Sequence, residues 1–381
     1  AETVPLGSRC IFPSRKGATG GSSSDSLHTA GRQRVRVKSS IRTIANLAIS
    51  VAILAVLLTR VDYAALGRLL LTGSLPLFLT AYALMWLTHI GQTARWHYLS
   101  FVDRDDTAFF GGYLRRVFVQ KEMRRRFMAL LRFHIIGNYF QLFLPSAASG
   151  DVVKGYFSVR KTQNKGAALS AIVVGRVLGI SCALAIAVTA VWLVRDAETR
   201  AAVFRSPALW IAAAGLAALI AVLLHLRALL HMDIRPIAWL KRNRVGRVMV
   251  ETAHSLGMFR ERKRLIAGGL LLSVLIQLLT VLTSYTVFVG LGWSAELAVL
   301  TVYLPLIYLF TMLPISFNGM GVRESLLMYF LADYGCTDEL VIGYAVVGYG
   351  MVFSIGLVGW VLYVTDRRKG APSPAPDAAA G

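Results

Sequence analysis

The apolar residues of this chain fall in uninterrupted runs, several of them long enough to cross a bilayer, which takes about 20 residues of helix. A run of that kind has few options. The hydrocarbon layer holds no water, so every backbone N–H and C=O must be satisfied within the segment, and each run reads as a helix. Spans are predicted over about 43–59, 75–94, 167–194, 208–226, 265–290 and 340–364. The 381 residues are 56% hydrophobic and only 16% charged, with a mean hydropathy of +0.58, more apolar surface than a soluble domain can bury. The expected fold class is therefore all-α, a polytopic integral membrane protein.

The net charge of +21 raises a nucleic-acid partner, but that reading needs a basic face on a folded soluble domain. Here the positive charge lies between the apolar runs, where it sets topology. With 32–42, 95–134, 153–166, 227–264 and 365–369 on the cytoplasmic side, 31 Lys and Arg lie there, against 5 in the opposite loops 60–76, 195–206, 291–297 and 333–339. Both termini are thus expected in the cytoplasm, and the cytoplasmic (inner) membrane is the simplest location. Trp192, Trp210 and Trp293 are then expected at the outer interface and Trp96 at the inner one. Cys10, Cys182 and Cys336 show neither metal spacing nor a disulfide framework, and no cofactor or metal is expected.

Residues 1–40, rich in Gly, Ser and Arg, read as a disordered basic tail, and 367–381 as a second tail around a membrane domain at 41–366. The first tail lacks the apolar core of a secretory signal, although its Ser-rich, acid-poor character would suit an organellar transit peptide. The start at Ala1, without Met, leads to the expectation of a trimmed or partial chain.

Two stretches interrupt the apolar pattern. Leu144-Pro145-Ser146-Ala147-Ala148-Ser149-Gly150-Asp151 carries a helix breaker, a glycine and polar side chains. Leu313-Pro314-Ile315-Ser316-Phe317-Asn318-Gly319-Met320-Gly321-Val322-Arg323-Glu324 does the same, and Leu144, Pro145 and Gly150 reappear as Leu313, Pro314 and Gly319 at a constant offset of 169. Basic sequence flanks 134–152 on both sides, so this segment is expected to enter and leave from the cytoplasm as a re-entrant hairpin. The flanks of 298–332 are uncharged to acidic, so it is expected to dip in from outside. Span, span, hairpin, span would then occur twice, in halves at about 43–194 and 208–364, as an inverted repeat of six full spans and two hairpins. Broken helices meeting near the midplane are a transporter architecture, and the breaks mark the binding site. The alternative is that Pro145 and Pro314 only kink ordinary spans. Two basic amphipathic segments, 113–133 and 236–262, suit either an interfacial helix attracting anionic lipid or a loop helix whose charge enforces topology.

An ionisable residue at membrane depth is a functional hypothesis by default. The candidates are Asp151, Lys154, Arg176, Arg323 and Glu324. Either opposite charges neutralise one another as structural pairs, or Arg176 and Arg323 hold a phosphate, for which a planar guanidinium is suited. Asp151 and Glu324 are the carboxylates that could carry protons. Interrupted helices free backbone groups that need partners. Asn138, Ser146, Ser149, Ser316 and Asn318 are placed to satisfy them or to contact a headgroup, with Gly150, Gly319 and Gly321 at the breaks. His89 and His97, eight apart on one span, read as packing or interface residues.

Asn138 followed by LPSAASGDVVKGYF, then GRVLG at Gly175 to Gly179, then LPISFNGMGVRES, resembles the flippase-type membrane domain of lysylphosphatidylglycerol synthetases and its stand-alone relatives, also called dolichol-phosphate-glucose-synthetase-like proteins. The resemblance covers about 43–364. It departs at three positions: Ser149-Gly150-Asp151 stands for a usual Gly-Gly-Asp, Lys154 for an Arg, and Gly175 for an acidic residue beside Arg176. That last change leaves Arg176 less neutralised or paired elsewhere. Residues 365–381 are too few for the soluble aminoacyl-transferase domain, so lysyl transfer is not expected of this chain. The resemblance implies translocation or binding of a phospholipid or a polyprenyl-phosphate-linked lipid, with membrane lipids as partners.

No Walker-type loop is present, which favours passive or ion-coupled movement. The competing reading is an integral-membrane transferase acting on a lipid-linked phosphate donor. Such chemistry generally needs clustered carboxylates to hold a metal at the phosphate, and here Asp62, Asp103, Asp105 and Asp106 lie in loops. A scaffold role has no positive feature.

Overall fold

The computed structural model of the chain describes residues 45–101, 110–144, 149–161, 165–231, 263–294, 296–311 and 316–368. The tails expected at 1–40 and 367–381, the amphipathic segment 236–262, and Pro145, Ser146 and Pro314 at the breaks lie wholly or largely outside these residues. Among the described residues every regular element is helical. In chain order these are α1 (Ala45–Leu58), α2 (Tyr63–Thr72), α3 (Leu75–Phe101), α4 (Phe110–Val119), α5 (Lys121–Gln141), α6 (Ser149–Lys161) and α7 (Lys165–Ala190). The second half contains α8 (Ala197–Arg205), α9 (Pro207–His231), α10 (Lys263–Gly290), α11 (Leu297–Thr311), α12 (Val322–Leu331) and α13 (Asp338–Arg368).

A helix covers each of the six stretches expected to span. Ser170–Leu193, Lys263–Gly290 and Asp338–Asp366 are long and apolar enough on their own, and counting the bent pairs α1–α2 (91°) and α8–α9 (62°) brings the number to five. The 27-residue α3 is as long as these but carries Thr88, His89, Gln92, Thr93, Arg95 and His97, which dilute its apolar character. Its depth follows from packing. Ser74 N–H donates to the Gly290 carbonyl at 2.9 Å at one end, Gly91 faces Ile276 midway, and Gly268 faces the Tyr98 ring at the other, so α3 runs antiparallel along α10 throughout. Missing side chains at Gly91 and Gly268 allow this approach, the usual device where lipid supplies no hydrophobic drive.

Both interrupted stretches are hairpins. Phe133 stacks on Phe157, while Gly137 packs against Lys154 and Gly150 against Gln141, so α5 and α6 are antiparallel. Tyr303 stacks on Phe330 and Thr311 meets Gly319, which does the same for α11 and α12. A merely kinked span would continue in its original direction, so the kink alternative is excluded. The basic segment at 113–133 is not a separate loop helix, because its second part is the start of α5 and continues as the first arm of the hairpin.

The halves pack reciprocally. The first hairpin's α5 lies along α13, the last helix of the second half, and α11 of the second hairpin lies along α7, the last of the first half. The equivalent second spans, α3 and α10, pair with each other in antiparallel. Such exchange is what an in-plane pseudo-two-fold produces, and it fits the expected inverted repeat. One buried cluster gathers Phe288, Leu300, Leu304, Leu327 and Val341 around α10 to α13. A second gathers Tyr98, Leu99, Phe133, Ile136 and Val174 around α3, α5 and α7.

The tryptophans divide. Trp192 and Trp210 are exposed, as lipid-interface residues would be, but Trp96 and Trp293 are buried. Trp293 packs edge-on against Phe288 and donates from Nε1 to the Tyr334 carbonyl at 3.3 Å. These two serve internal packing and do not present rings to the headgroups.

Candidate functional site

The breaks of the two hairpins converge. Gln141 and Leu142, where α5 ends, and Asn318, in the second break, line one cavity of about 140 Å³ together with Met85 and His89 of α3, Asn138 of α5, and Val352 and Ile355 of α13. Its polar side is built from a small network. His89 Nδ1 lies 3.2 Å from Asn138 Nδ2 and 3.1 Å from His134 Nε2, and in the tautomer protonated at Nε2 its single lone pair accepts from one of them. His89 is therefore a cavity residue that the sequence reading had set aside as packing or interface. His97 is packing, buried against Tyr113 with Nδ1 3.0 Å from the phenol oxygen.

Backbone conformation at the second break explains its glycines. Asn318, Gly319 and Gly321 have φ of 53°, 79° and 83°, values cheap only for Gly and tolerated by Asn. Space tightens the demand, since a Cβ on Gly319 would lie 2.7 Å from Thr311 Cβ and one on Gly321 2.9 Å from Ile53 Cγ2. Ser316 is buried, and the N–H of Phe317 donates to Ser50 Oγ of α1 at 2.6 Å. The partner for this freed amide comes from another helix and not from the candidate serines beside the break. At the first break, Gly150 presses on the end of α5, with Gln141 Oε1 2.8 Å from where its Cβ would stand. Ser149 opens α6.

The candidate charges form two separate groups. In the first, Asp151 at the start of α6 accepts from Lys154 Nζ at 3.2 Å and, through its other oxygen, pairs closely with Arg176 of α7. Arg176 is thus paired across elements, the second of the two outcomes left open by the missing carboxylate at Gly175. Arg95 of α3 joins this group. Its Nη1 donates to Ser273 Oγ at 2.9 Å, and its guanidinium lies over Gly175 and Gly179 of α7. By sequence Arg95 falls in the cytoplasmic loop 95–134. In fact α3 continues to Phe101 and carries Arg95 inside the helix bundle.

In the second group, Glu324 is fully buried at the third position of α12. One oxygen accepts from the Gly321 N–H at 2.8 Å and so caps the helix. The other accepts from Arg323 Nε at 2.9 Å and from the Tyr349 hydroxyl at 3.1 Å. Arg323 lies 4.5 Å from the Tyr349 ring centre and 5.6 Å from that of Tyr344, favourable for a desolvated cation. Its Nη2 is 2.7 Å from the same Glu324 oxygen but is not aligned for a hydrogen bond, and among the described residues it has no other partner. Behind it, Ser284, Tyr308 and Tyr344 join hydroxyls at 3.0 to 3.2 Å. The structure does not join Arg176 and Arg323. Each is tied to its own carboxylate, and neither lines the cavity between the breaks. Under the 169-residue offset Lys154 corresponds to Arg323, so the repeat places a cation at the matching position of each hairpin's second arm.

A family model described as the lysylphosphatidylglycerol synthase TM region matches residues 43–359. No curated protein and no solved structure gives a significant match.

Proposed function

Since the chain belongs to the family of the lysylphosphatidylglycerol synthase transmembrane region, we propose that it binds and translocates a phosphate-bearing membrane lipid and catalyses no group transfer. Both termini would face the cytoplasm of an inner membrane. The observation that carries this reading is the cavity shared by the two hairpin breaks, with His89, Asn138, Gln141 and Asn318 as its polar groups. Irregular backbone is tolerated at membrane depth only where it is buried or lines a wet cavity, and here Leu142 and Asn318 of the two breaks line one cavity. A volume of about 140 Å³ admits several waters or a compact headgroup but not acyl chains, so the tails would stay in lipid while the headgroup passes. Asp151, Lys154, Arg176, Arg323 and Glu324 would hold the hairpins in place and set the local field.

The test is lipid scrambling. The purified chain is reconstituted into liposomes carrying headgroup-labelled lipids, and loss of leaflet asymmetry is followed by dithionite quenching. Transfer of at least one anionic lipid is expected, slowed by Asn138→Leu and Asn318→Leu, which keep the helices but remove polar lining. Full retention of asymmetry across a broad lipid panel would refute the reading.

A further inference from the structure

The group around Asp151 is out of charge balance. Three cations, Arg95, Lys154 and Arg176, gather at one carboxylate, and Asp151 is already taken by Lys154 and Arg176. Arg95 has no carboxylate within ion-pair distance among the described residues. Its one hydrogen bond among the described residues goes to the neutral Ser273 hydroxyl, which itself donates to the Gly269 carbonyl at 2.8 Å. The charges of Asp151 and Arg176 both act on Arg95, so the groups share one electrostatic neighbourhood. Arginine does not shed its proton in proteins. Even with a neutral Lys154, two guanidiniums against one carboxylate leave the group at +1. Unbalanced charge in a bundle of apolar helices is costly.

The Arg95 guanidinium packs directly on the backbone of α7 on one side, and its side chain is only partly buried. A Cβ at Gly175 would stand 3.5 Å from Arg95 Nε and 4.0 Å from Cζ, and one at Gly179 3.0 Å from Nη1. At Gly175 and Gly179 the guanidinium therefore meets backbone and not a side chain. The neighbourhood is also reachable, since the side chains of Asp151 and Arg176 keep 31% and 28% exposure.

We propose that Arg95, backed by Gly175 and Gly179 and flanked by Arg176 and Lys154, is the primary contact of an anion-binding site for a phosphate group. A guanidinium with free donors matches phosphate oxygens in a bidentate fork. The site rests on the charge imbalance and the partial exposure of the group. It depends on the lipid reading only for what the phosphate is attached to.

Binding to the full chain in an uncharged detergent tests this, by calorimetry and thermal stabilisation with three probes: inorganic phosphate, dioctanoyl phosphatidylglycerol, and phosphate-free dioctanoylglycerol. The phosphate-bearing lipid should bind and dioctanoylglycerol should not compete. Stabilisation by inorganic phosphate as well would identify a site for solute anions. Stabilisation by the lipid alone would identify a headgroup site. Arg95→Gln should weaken binding about 10- to 100-fold, the loss of a hydrogen bond to a charged partner. Gly175→Glu supplies an internal carboxylate beside Arg95 and should abolish binding while leaving the ligand-free protein as thermally stable as before, which keeps the test valid if Arg95→Gln folds poorly. The site is overturned if no phosphate-bearing probe binds better than dioctanoylglycerol, or if Gly175→Glu binds like the unaltered chain. Absent scrambling with intact Arg95-dependent binding would remove the transport reading and leave the site. Scrambling with anion binding indifferent to Gly175→Glu would remove the site alone.

Discussion

Glu324→Ala isolates what holds the second hairpin together. The Glu324 carboxylate is fully buried and accepts three hydrogen bonds, from the Gly321 amide, Arg323 Nε and the Tyr349 hydroxyl. Truncation leaves the Arg323 guanidinium, 16% exposed, beside the rings of Tyr344 and Tyr349. Removing one partner of a buried pair costs about 3–5 kcal/mol, because the remaining charge stays desolvated. Replacing both partners by apolar groups is far milder, so Arg323→Leu combined with Glu324→Ala should recover about 2 kcal/mol of the summed single losses. Tyr349→Phe removes one hydrogen bond to the carboxylate and should cost about 1.5–3 kcal/mol. The assay is denaturation in mixed micelles of mild detergent and dodecyl sulfate, followed by tryptophan fluorescence. A Glu324→Ala loss below about 1 kcal/mol, the range of ordinary surface substitutions, would refute the reasoning. Simple additivity in the double variant would refute it as well.

Further outcomes follow from the same geometry. Gly319→Ala and Gly321→Ala place Cβ atoms at φ of 79° and 83° and within 2.9 Å of a neighbour, and each should destabilise by about 1–3 kcal/mol in the same titration. Gly348→Ala on α13 meets nothing within 4 Å and should be neutral or stabilise by up to about 1 kcal/mol. Gly359→Ala would put a methyl 2.4 Å from the Ile135 carbonyl oxygen and push α13 off α5, a loss of about 1–3 kcal/mol by overpacking that thermal unfolding in detergent will show. Outside the spans, Asp196 caps α8 by accepting from the Thr199 N–H at 2.6 Å, and the Thr199 side chain first and this N–H second hold its carboxyl below the ordinary range. A depressed carboxyl stabilises above its unfolded value and loses that effect as pH falls through the lowered one. Hydrogen exchange at residues 197–200, corrected for intrinsic rate, should therefore accelerate only in acid, and Asp196→Ala should show the fast exchange already at neutral pH.

The breaks were legible because their composition conflicts with their surroundings. A proline, glycines and hydroxyls inside apolar sequence at a repeated offset mark interruptions, and the charge of the flanks favoured hairpins, while only the antiparallel packing of their arms excluded kinks. The family motif was legible for the same reason, since Asn318, Gly319 and Gly321 occupy positive φ that few other residues accept. Arg95 and His89 were not legible as site residues. Each sits on a helix whose register against α5, α7 and α10 is set by glycine contacts spread over the whole chain, such as Gly268 on Tyr98 and Gly269 on Leu99. Nothing local to Arg95 says that it will lie over Gly175.

The sequence alone determined that this chain is a bundle of membrane helices with two interruptions, because the cost of an unpaired backbone group in lipid leaves no other solution for such apolar runs. It also determined the likeness of the two halves, because the repeat is written into residue spacing. Which polar groups meet was decided only by the tertiary structure. Pairing at membrane depth depends on distances of a few ångströms between helices far apart in sequence, and no local pattern encodes them. Packing tied Arg176 to Asp151 and Arg323 to Glu324. The same packing brought Asn318 to one cavity with Asn138 and left Arg95, among the described residues, without a carboxylate of its own.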